Sequence, residues 1–246
     1  GARARSPSGS SVTTTATWDP AGLPDRLVTA TPTAVLDERH YRWDAAGRLT
    51  GIETTDTQGT RTVTYGLDAM GRLRSSARSD GSLREYELDP AGNRTAIRVD
   101  GEEQRYTTAC NRYVSTPADR RGYDANGNLV TIVTADGHTT SMRYDYRNRM
   151  VEYRDDATGT LATYGYDCLG RRLVKTVNDG PAVRYVFDGD DIVEYRDAAG
   201  THSLVRHDSS VYGVVSGSVE RWFVSDVLGS VVAEFDGSGV LRGHEY

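Results

Sequence analysis

The chain has 246 residues, enough for one large β domain or two small ones, and its 29 basic and 35 acidic residues leave a net charge of −6. Lys175 is the only lysine, no basic tract occurs, and no apolar run approaches membrane-spanning length. These features argue against a nucleic-acid binder and against a spanning helix. The 15 Tyr, 3 Trp and 26 Gly point instead to a thin aromatic core spread along many turns.

Residues 1–14 read as a flexible N-terminal segment. Their start, Gly1-Ala2-Arg3-Ala4-Arg5, has neither Met nor a signal-peptide core, so the chain reads as a stretch of a longer protein. From residue 15 one short pattern recurs: Tyr, any residue, an aromatic or Leu, Asp, two residues, Gly, then Arg or Asn. A weak copy comes first, Trp18-Asp19 with Gly22. Tyr41-Arg42-Trp43-Asp44 follows with Gly47-Arg48-Leu49, then Tyr65-Gly66-Leu67-Asp68 with Gly71-Arg72-Leu73. Tyr86-Glu87-Leu88-Asp89 leads to Gly92-Asn93, and a degenerate copy ends in Asn111-Arg112-Tyr113. Tyr123-Asp124 leads to Gly127-Asn128, Tyr144-Asp145 to Asn148-Arg149, and Tyr164-Gly165-Tyr166-Asp167 to Gly170-Arg171. Tyr185-Val186-Phe187-Asp188 is a last weak copy. Successive aspartates lie 21 to 25 residues apart, with one gap of 35 that holds the degenerate copy. Such regularity marks a repeat architecture.

Each part of the unit has a physical reason. Residues three and one before Asp share a strand face, because strand side chains alternate. Asp opens a type I turn by binding its own backbone further along. Gly three residues later supplies the positive φ that a turn closed by a bulge requires, and Asn148 replaces it once. A second set of turns alternates with the first: Gln58-Gly59, Asp80-Gly81, Asp100-Gly101, Asp136-Gly137, Thr158-Gly159 and Asp179-Gly180. Turns every 9 to 12 residues predict a continuous antiparallel meander of roughly 16 to 20 strands, with no sustained helical period. The expected class is all-β, and so many strands must curl, close or split.

The pattern resembles the YD repeats of the Rhs family, of the toxin-complex cocoon proteins and of teneurins, over about residues 15–246. Near the end, Trp222-Phe223-Val224-Ser225-Asp226-Val227-Leu228-Gly229-Ser230-Val231 resembles the Rhs-associated core motif, with Asp226, Leu228 and Gly229 at its heart and Val227 where the family usually has His. The resemblance implies a curved, spiralling shell segment: 15–200 as YD-repeat sheet and 201–246 as a truncated, core-like part of the same sheet. It further implies a structural wall that encloses or presents a C-terminal toxin, secreted or at a bacterial cell surface, whose partners are further YD repeats and that toxin. The alternative is a cell-surface adhesion or glycan-binding module.

The candidate site residues are structural. They are Tyr41, Asp44 and Gly47; Tyr65, Asp68 and Gly71; Tyr86, Asp89 and Gly92; Tyr123, Asp124 and Gly127; Tyr144 and Asp145; and Tyr166, Asp167 and Gly170; with Asp226, Leu228 and Gly229. No enzyme, cofactor or metal is expected. Asp124-Ala125-Asn126-Gly127-Asn128 has its Gly at the fourth position, where a calcium loop needs it at the sixth. His40, His138, His202, His207 and His244 have no metal spacing and read as surface or strand-packing residues. Cys110 and Cys168 read as free thiols. Arg48, Arg72 and Arg171 are expected to pair across strands with Asp or Glu. Asn93-Arg94-Thr95 matches a glycosylation triplet but lies inside a repeat turn.

Overall fold

The computed structural model describes residues 3–5, 11–56, 58–207, 210–225, 230–236 and 240–244. Asp226, Leu228 and Gly229 lie outside them. All regular structure among the described residues is strand, and each strand follows its predecessor in the sheet order. Ten strands form the first sheet: β1 (Arg3–Arg5), β2 (Ser11–Trp18), β3 (Pro24–Ala30), β4 (Val35–Trp43), β5 (Leu49–Asp56), β6 (Gly59–Leu67), β7 (Leu73–Arg78), β8 (Leu83–Leu88), β9 (Arg94–Val99) and β10 (Glu102–Arg105). Fifteen form the second. It opens with β11 (Thr107–Ala109), β12 (Arg112–Ser115), β13 (Asp119–Tyr123), β14 (Leu129–Thr134), β15 (Thr139–Tyr144), β16 (Met150–Asp155) and β17 (Thr160–Tyr166). It continues through β18 (Arg172–Val177), β19 (Val183–Asp188), β20 (Asp191–Asp197), β21 (Gly200–His207), β22 (Ser210–Ser216), β23 (Val219–Ser225), β24 (Val231–Asp236) and β25 (Leu241–His244).

The meander is thus antiparallel and unbroken within each sheet, and it divides at Tyr106, between β10 and β11. The 25 strands among the described residues exceed the expected number. Short strands around the degenerate copy (β10 to β12) and five strands after residue 200 account for most of the excess, and turn spacing resolves neither region. The bulge expected beside the turn is present. Register slips between Arg42 and Trp43, Gly66 and Leu67, Gly122 and Tyr123, Arg143 and Tyr144, and Gly165 and Tyr166, each time one residue before the strand's end.

The chain packs as two compact units. The first holds Gly1–Leu88, Ala96–Glu103 and Val205–Tyr246; the second holds Asp89–Thr95 and Gln104–Leu204. In the first unit Phe235 is 2% exposed and packs with Val224 and Ala233 against Leu36 and Trp222. Leu27, Tyr41, Ala96, Ile97 and Val214 are also buried there. The second unit buries only Met142, Ala162 and His202 among its described residues. Most of its tyrosines are half-buried.

Candidate functional site

Six of the recurring turns, those of Asp44, Asp68, Asp89, Asp124, Asp145 and Asp167, are built alike. At Asp44 the backbone oxygen accepts from Gly47 N at 2.9 Å, and Asp44 N donates to Arg48 O at 2.9 Å, which closes the five-residue hairpin end. The carboxylate then takes three more donors. Oδ1 accepts from Ala46 N (2.9 Å) and Arg48 N (3.0 Å), and Oδ2 from Arg48 Nε (2.7 Å). Asp68, Asp145 and Asp167 repeat this set with Arg72, Arg149 and Arg171. Asp89 and Asp124 use Asn93 and Asn128, whose Nδ2 donates to Oδ2 at 2.8 Å in both cases. Arg48, Arg72 and Arg171 each pair with an Asp, and that Asp lies four residues earlier in the same turn, because the bulged turn brings the side chain over the carboxylate. Gly71 has φ of +80°, and Asn148 takes the same role at +60°.

These donors hold the carboxyls ionised. In Asp124 and Asp145 the side-chain hydrogen bond from the fourth residue on is the main cause of a pKa below the ordinary value of 3.8. In Asp44 and Asp68 the backbone N–H of Arg48 and Arg72 leads. Burial pushes Asp167 up, but the Arg171 hydrogen bonds outweigh it and the net shift is downward. Three donors fill most of the roughly four lone-pair positions of such a carboxylate and favour its ionised form, so its recurring part is to hold the turn.

The fourth residue also reaches the next repeat. Arg149 Nη1 donates to Asp167 O at 2.9 Å, and its guanidinium lies 4.8 Å over the Tyr166 ring. Arg171 binds Gly189 O and lies 5.2 Å over the Phe187 ring. Where the residue is Asn, it reaches Asn: Asn93 to Asn111 at 3.0 Å and Asn128 to Asn148 at 2.9 Å. Asn93 is thus occupied on both sides, which explains the triplet without a glycan. The aromatic one before Asp answers in the other direction. Trp43 Nε1 donates to Pro24 O (2.7 Å), Tyr123 OH to Tyr113 O (2.8 Å) and Tyr166 OH to Met150 O (2.7 Å). Tyr41 and Trp43 share a face with centroids 6.4 Å apart.

Two further sets of residues escape the motif. At the opposite ends of the strands Ser79, Asp100, Asp156 and Asn178 each clamp a residue 17 positions earlier. The backbone N–H donates to the carbonyl of Thr62, Leu83, Thr139 or Leu161, and the side-chain oxygen accepts that residue's N–H. Polar acceptors at the repeat spacing, Ser79 and Asp100 21 residues apart and Asp156 and Asn178 22 apart, were the available signal. The second set is glycine two before Asp. A Cβ on Gly122 would lie 2.7 Å from Thr131 Oγ1, one on Gly165 would lie 2.6 Å from Val174 Cγ1, and one on Gly66 would overlap Ser75 Oγ. In the Asp44 repeat the roles swap: Arg42 stands opposite a glycine, Gly51.

Of the other residues singled out, Tyr41 is buried, and Tyr65, Tyr86, Tyr123, Tyr144 and Tyr166 are half-buried. Asp188 departs from the pattern: it pairs with Asp191 around a two-residue hairpin, Gly189-Asp190, so it does not head the longer turn. His202 is a packing residue, stacked on Tyr195 at 4.3 Å and bonded through Nε2 to Asp197 Oδ1 at 2.9 Å. Cys110 and Cys168 are exposed free thiols.

The RHS repeat family model matches residues 43–83 and 123–160. The toxin protein Tse5 of Pseudomonas aeruginosa is 34% identical over 188 residues, which are 62% of this chain and 14% of that protein. The double-stranded DNA deaminase toxin A of Burkholderia cenocepacia is 31% identical over 192 residues, 72% of this chain and 13% of that protein. Teneurin-4 of Mus musculus is 30% identical over 174 residues, 64% of this chain and 6% of that protein. The chain therefore spans only a small part of the length of the relatives it matches. The crystal structure of TcdB2-TccC3 without its hypervariable C-terminal region superposes over 100% of this chain and 15% of that one, with a TM-score of 0.61 and 15% identity. This likeness is one of fold.

Proposed function

Because the chain belongs to the Rhs, or YD-repeat, family, we propose that it is wall: a structural β-sheet segment that helps to enclose or present a C-terminal toxin polypeptide. The observation that carries this reading is the joint between consecutive repeats. Arg149, Arg171, Asn93 and Asn128 each serve their own turn and the next one, so the recurring residues are consumed in holding repeat to repeat. The nuclease and deaminase activities in the names of related proteins describe chains of which this one matches 14% or less. The half-buried tyrosines support packing over glycan binding, since a glycan platform needs exposed ring faces. A secreted or cell-surface bacterial location, and further YD repeats with a C-terminal toxin as partners, belong to the same proposal. No helix of the described residues is long and apolar enough to cross a membrane.

The test is protease protection in the natural polypeptide that carries this chain. Its C-terminal segment should resist digestion while the repeats are folded and become sensitive once they are unfolded in denaturant. Equal digestion in both states would remove the enclosing role.

A further inference from the structure

We propose that Asn126 is a site of spontaneous deamidation, and that its isoaspartyl product unfastens one joint between repeats. The chain has six asparagines, and the side chains of five are tied to a neighbouring turn or strand. Asn93 Nδ2 donates to Asn111 Oδ1 at 3.0 Å, Asn128 Nδ2 donates to Asn148 Oδ1 at 2.9 Å, and Asn178 Oδ1 accepts Leu161 N at 2.6 Å. Asn126 is the exception. It is exposed, its bond to Asp124 Oδ1 comes from its backbone N–H, and its side-chain amide has no hydrogen bond among the described residues. It is also the one asparagine that precedes a glycine.

The repeat itself creates this pair. Gly127 stands three residues after Asp124 with φ of +88°, and a Cβ there would lie 2.6 Å from Arg112 Nη1, so the turn requires glycine at that position. The position before it accepts any side chain: Ala46, Met70, Ala91, Arg147 and Leu169 occupy it in the other five turns. Asparagine at that place contributes no side-chain bond to the fold. It sets a free carboxamide beside a backbone nitrogen whose own residue has no side chain to obstruct an approach, and asparagine is among the chemically labile residues.

In the reaction the Gly127 nitrogen gives up its proton to hydroxide and attacks Asn126 Cγ. The new bond joins that nitrogen to Cγ, the bond from Cγ to Nδ2 breaks, and ammonia leaves with a proton from water. Water then opens the succinimide ring. Attack at Cγ gives aspartate; attack at the backbone carbonyl carbon gives isoaspartate, whose main chain runs through the former side chain and gains a methylene. The fold resists the first step, because Gly127 N donates to Asp124 O at 3.0 Å, so the hairpin end has to open before attack. Such openings lie at the low end of the free-energy range, and Ala125 and Asn126 are both exposed. The added methylene moves Asn128 away from Asp124. Asn128 gives that carboxylate its N–H and its Nδ2, both at 2.8 Å, and the same Nδ2 reaches Asn148 in the next repeat. Turn and joint are therefore lost together. The inference concerns the durability of the wall and does not depend on the enclosing role.

Ageing the 246-residue chain in mildly alkaline buffer tests it, with peptide mapping by mass spectrometry and with isoaspartate methyltransferase to report the isoaspartyl form. Asn126 should lose its amide before any of the other five asparagines. Hydrogen exchange in β13 to β16 should then be faster in the aged chain than in the fresh one, with β17 to β19 unchanged. Asn126→Ala, which places there the residue that Ala46 and Ala91 already supply in their turns, should age without that change. A parallel sample aged in urea gives the rate for the unfolded sequence. Earlier loss at another asparagine of the folded chain overturns the site, as does full retention of the Asn126 amide over roughly ten of the half-lives measured in urea. Unchanged exchange in a chain that carries isoaspartate at this position overturns the unfastening.

Discussion

The two compact units are built from the same meander and stabilised differently. The first buries Phe235, Val224, Ala233, Leu27, Tyr41, Ala96, Ile97 and Val214, together with the Asp37–Arg39 pair. The second, of comparable length, buries Met142, Ala162 and His202, and depends on side chains that run from one turn to the next. A sheet can therefore be held by covering a face or by lacing its edges. Lacing needs polar side chains at fixed offsets, and a repeat supplies these automatically: the same residue recurs wherever the same neighbour recurs.

The comparison breaks first at Phe235. Phe235→Ala deletes a ring that is 2% exposed, and the cavity left behind should cost about 3–5 kcal/mol. Urea denaturation should register the loss. Native-state hydrogen exchange should place it in β22 to β24 and leave β14 to β18 protected. Equal loss of protection in both regions would show that the units share one core.

Next in size is the turn backbone. Gly71→Val puts a β-branched residue at φ of +80°, for a strain of about 1–3 kcal/mol. Ser75→Val should be tolerated, because Val174 already occupies the same place, seven residues past its Asp and opposite a glycine. Equal thermal midpoints for the two variants would contradict the geometry of the repeat turn.

Lacing is tested at Asp167, whose carboxylate holds Leu169 N, Arg171 N and Arg171 Nε. Asp167→Ala frees Arg171 from its own turn as well as loosening its hold on the Phe187 ring. The midpoint should fall by roughly 2–4 °C, with faster exchange in β17 to β19. Asp188→Ala, at a two-residue hairpin without that carboxylate network, should change less. The lacing account fails if the two substitutions are equal.

How much of this was legible follows from the range of each interaction. The Asp-to-Gly turn and its bulge are local, so five residues such as Asp68 to Arg72 reveal them. The all-β meander follows from their alternation. The second duty of Arg149 does not, because its target, Asp167 O, is 18 residues away and is a backbone atom that any residue would supply. The clamps from Ser79, Asp100, Asp156 and Asn178 vary in residue type and share only the ability to accept a hydrogen bond. Least legible of all is a cavity lined by Arg39, Arg61 and Arg78, because Val231 on its wall arrives from the other end of the chain.

The smallest effect per residue is protonation, and it separates the units by number. A carboxyl whose folded pKa lies below its unfolded value of 3.8 stabilises the fold fully at pH well above 3.8 and loses that contribution as pH falls through the folded value. Among the repeat turns, Asp44 and Asp68 belong to the first unit, while Asp89, Asp124, Asp145 and Asp167 belong to the second; all six are shifted down. The second unit adds Asp119 through the Arg121 hydrogen bond, Asp136 through Thr134 and Asp197 through His202, and the first adds Glu38 through Arg26 and Asp80 through Ser82 N–H, so among the described residues seven lowered carboxyls stand against four. Acid should accordingly loosen the second unit before the first as pH drops below about 4. Each turn is partly solvated, so the individual contributions are small and salt weakens the Arg-paired ones. Hydrogen exchange at pH 3 and at pH 6, corrected for intrinsic rates, reads the difference. Protection lost preferentially in β14 to β18 supports edge lacing by ionised aspartates, whereas parallel loss in β3 to β6 would mean that the two units draw equally on their carboxylates.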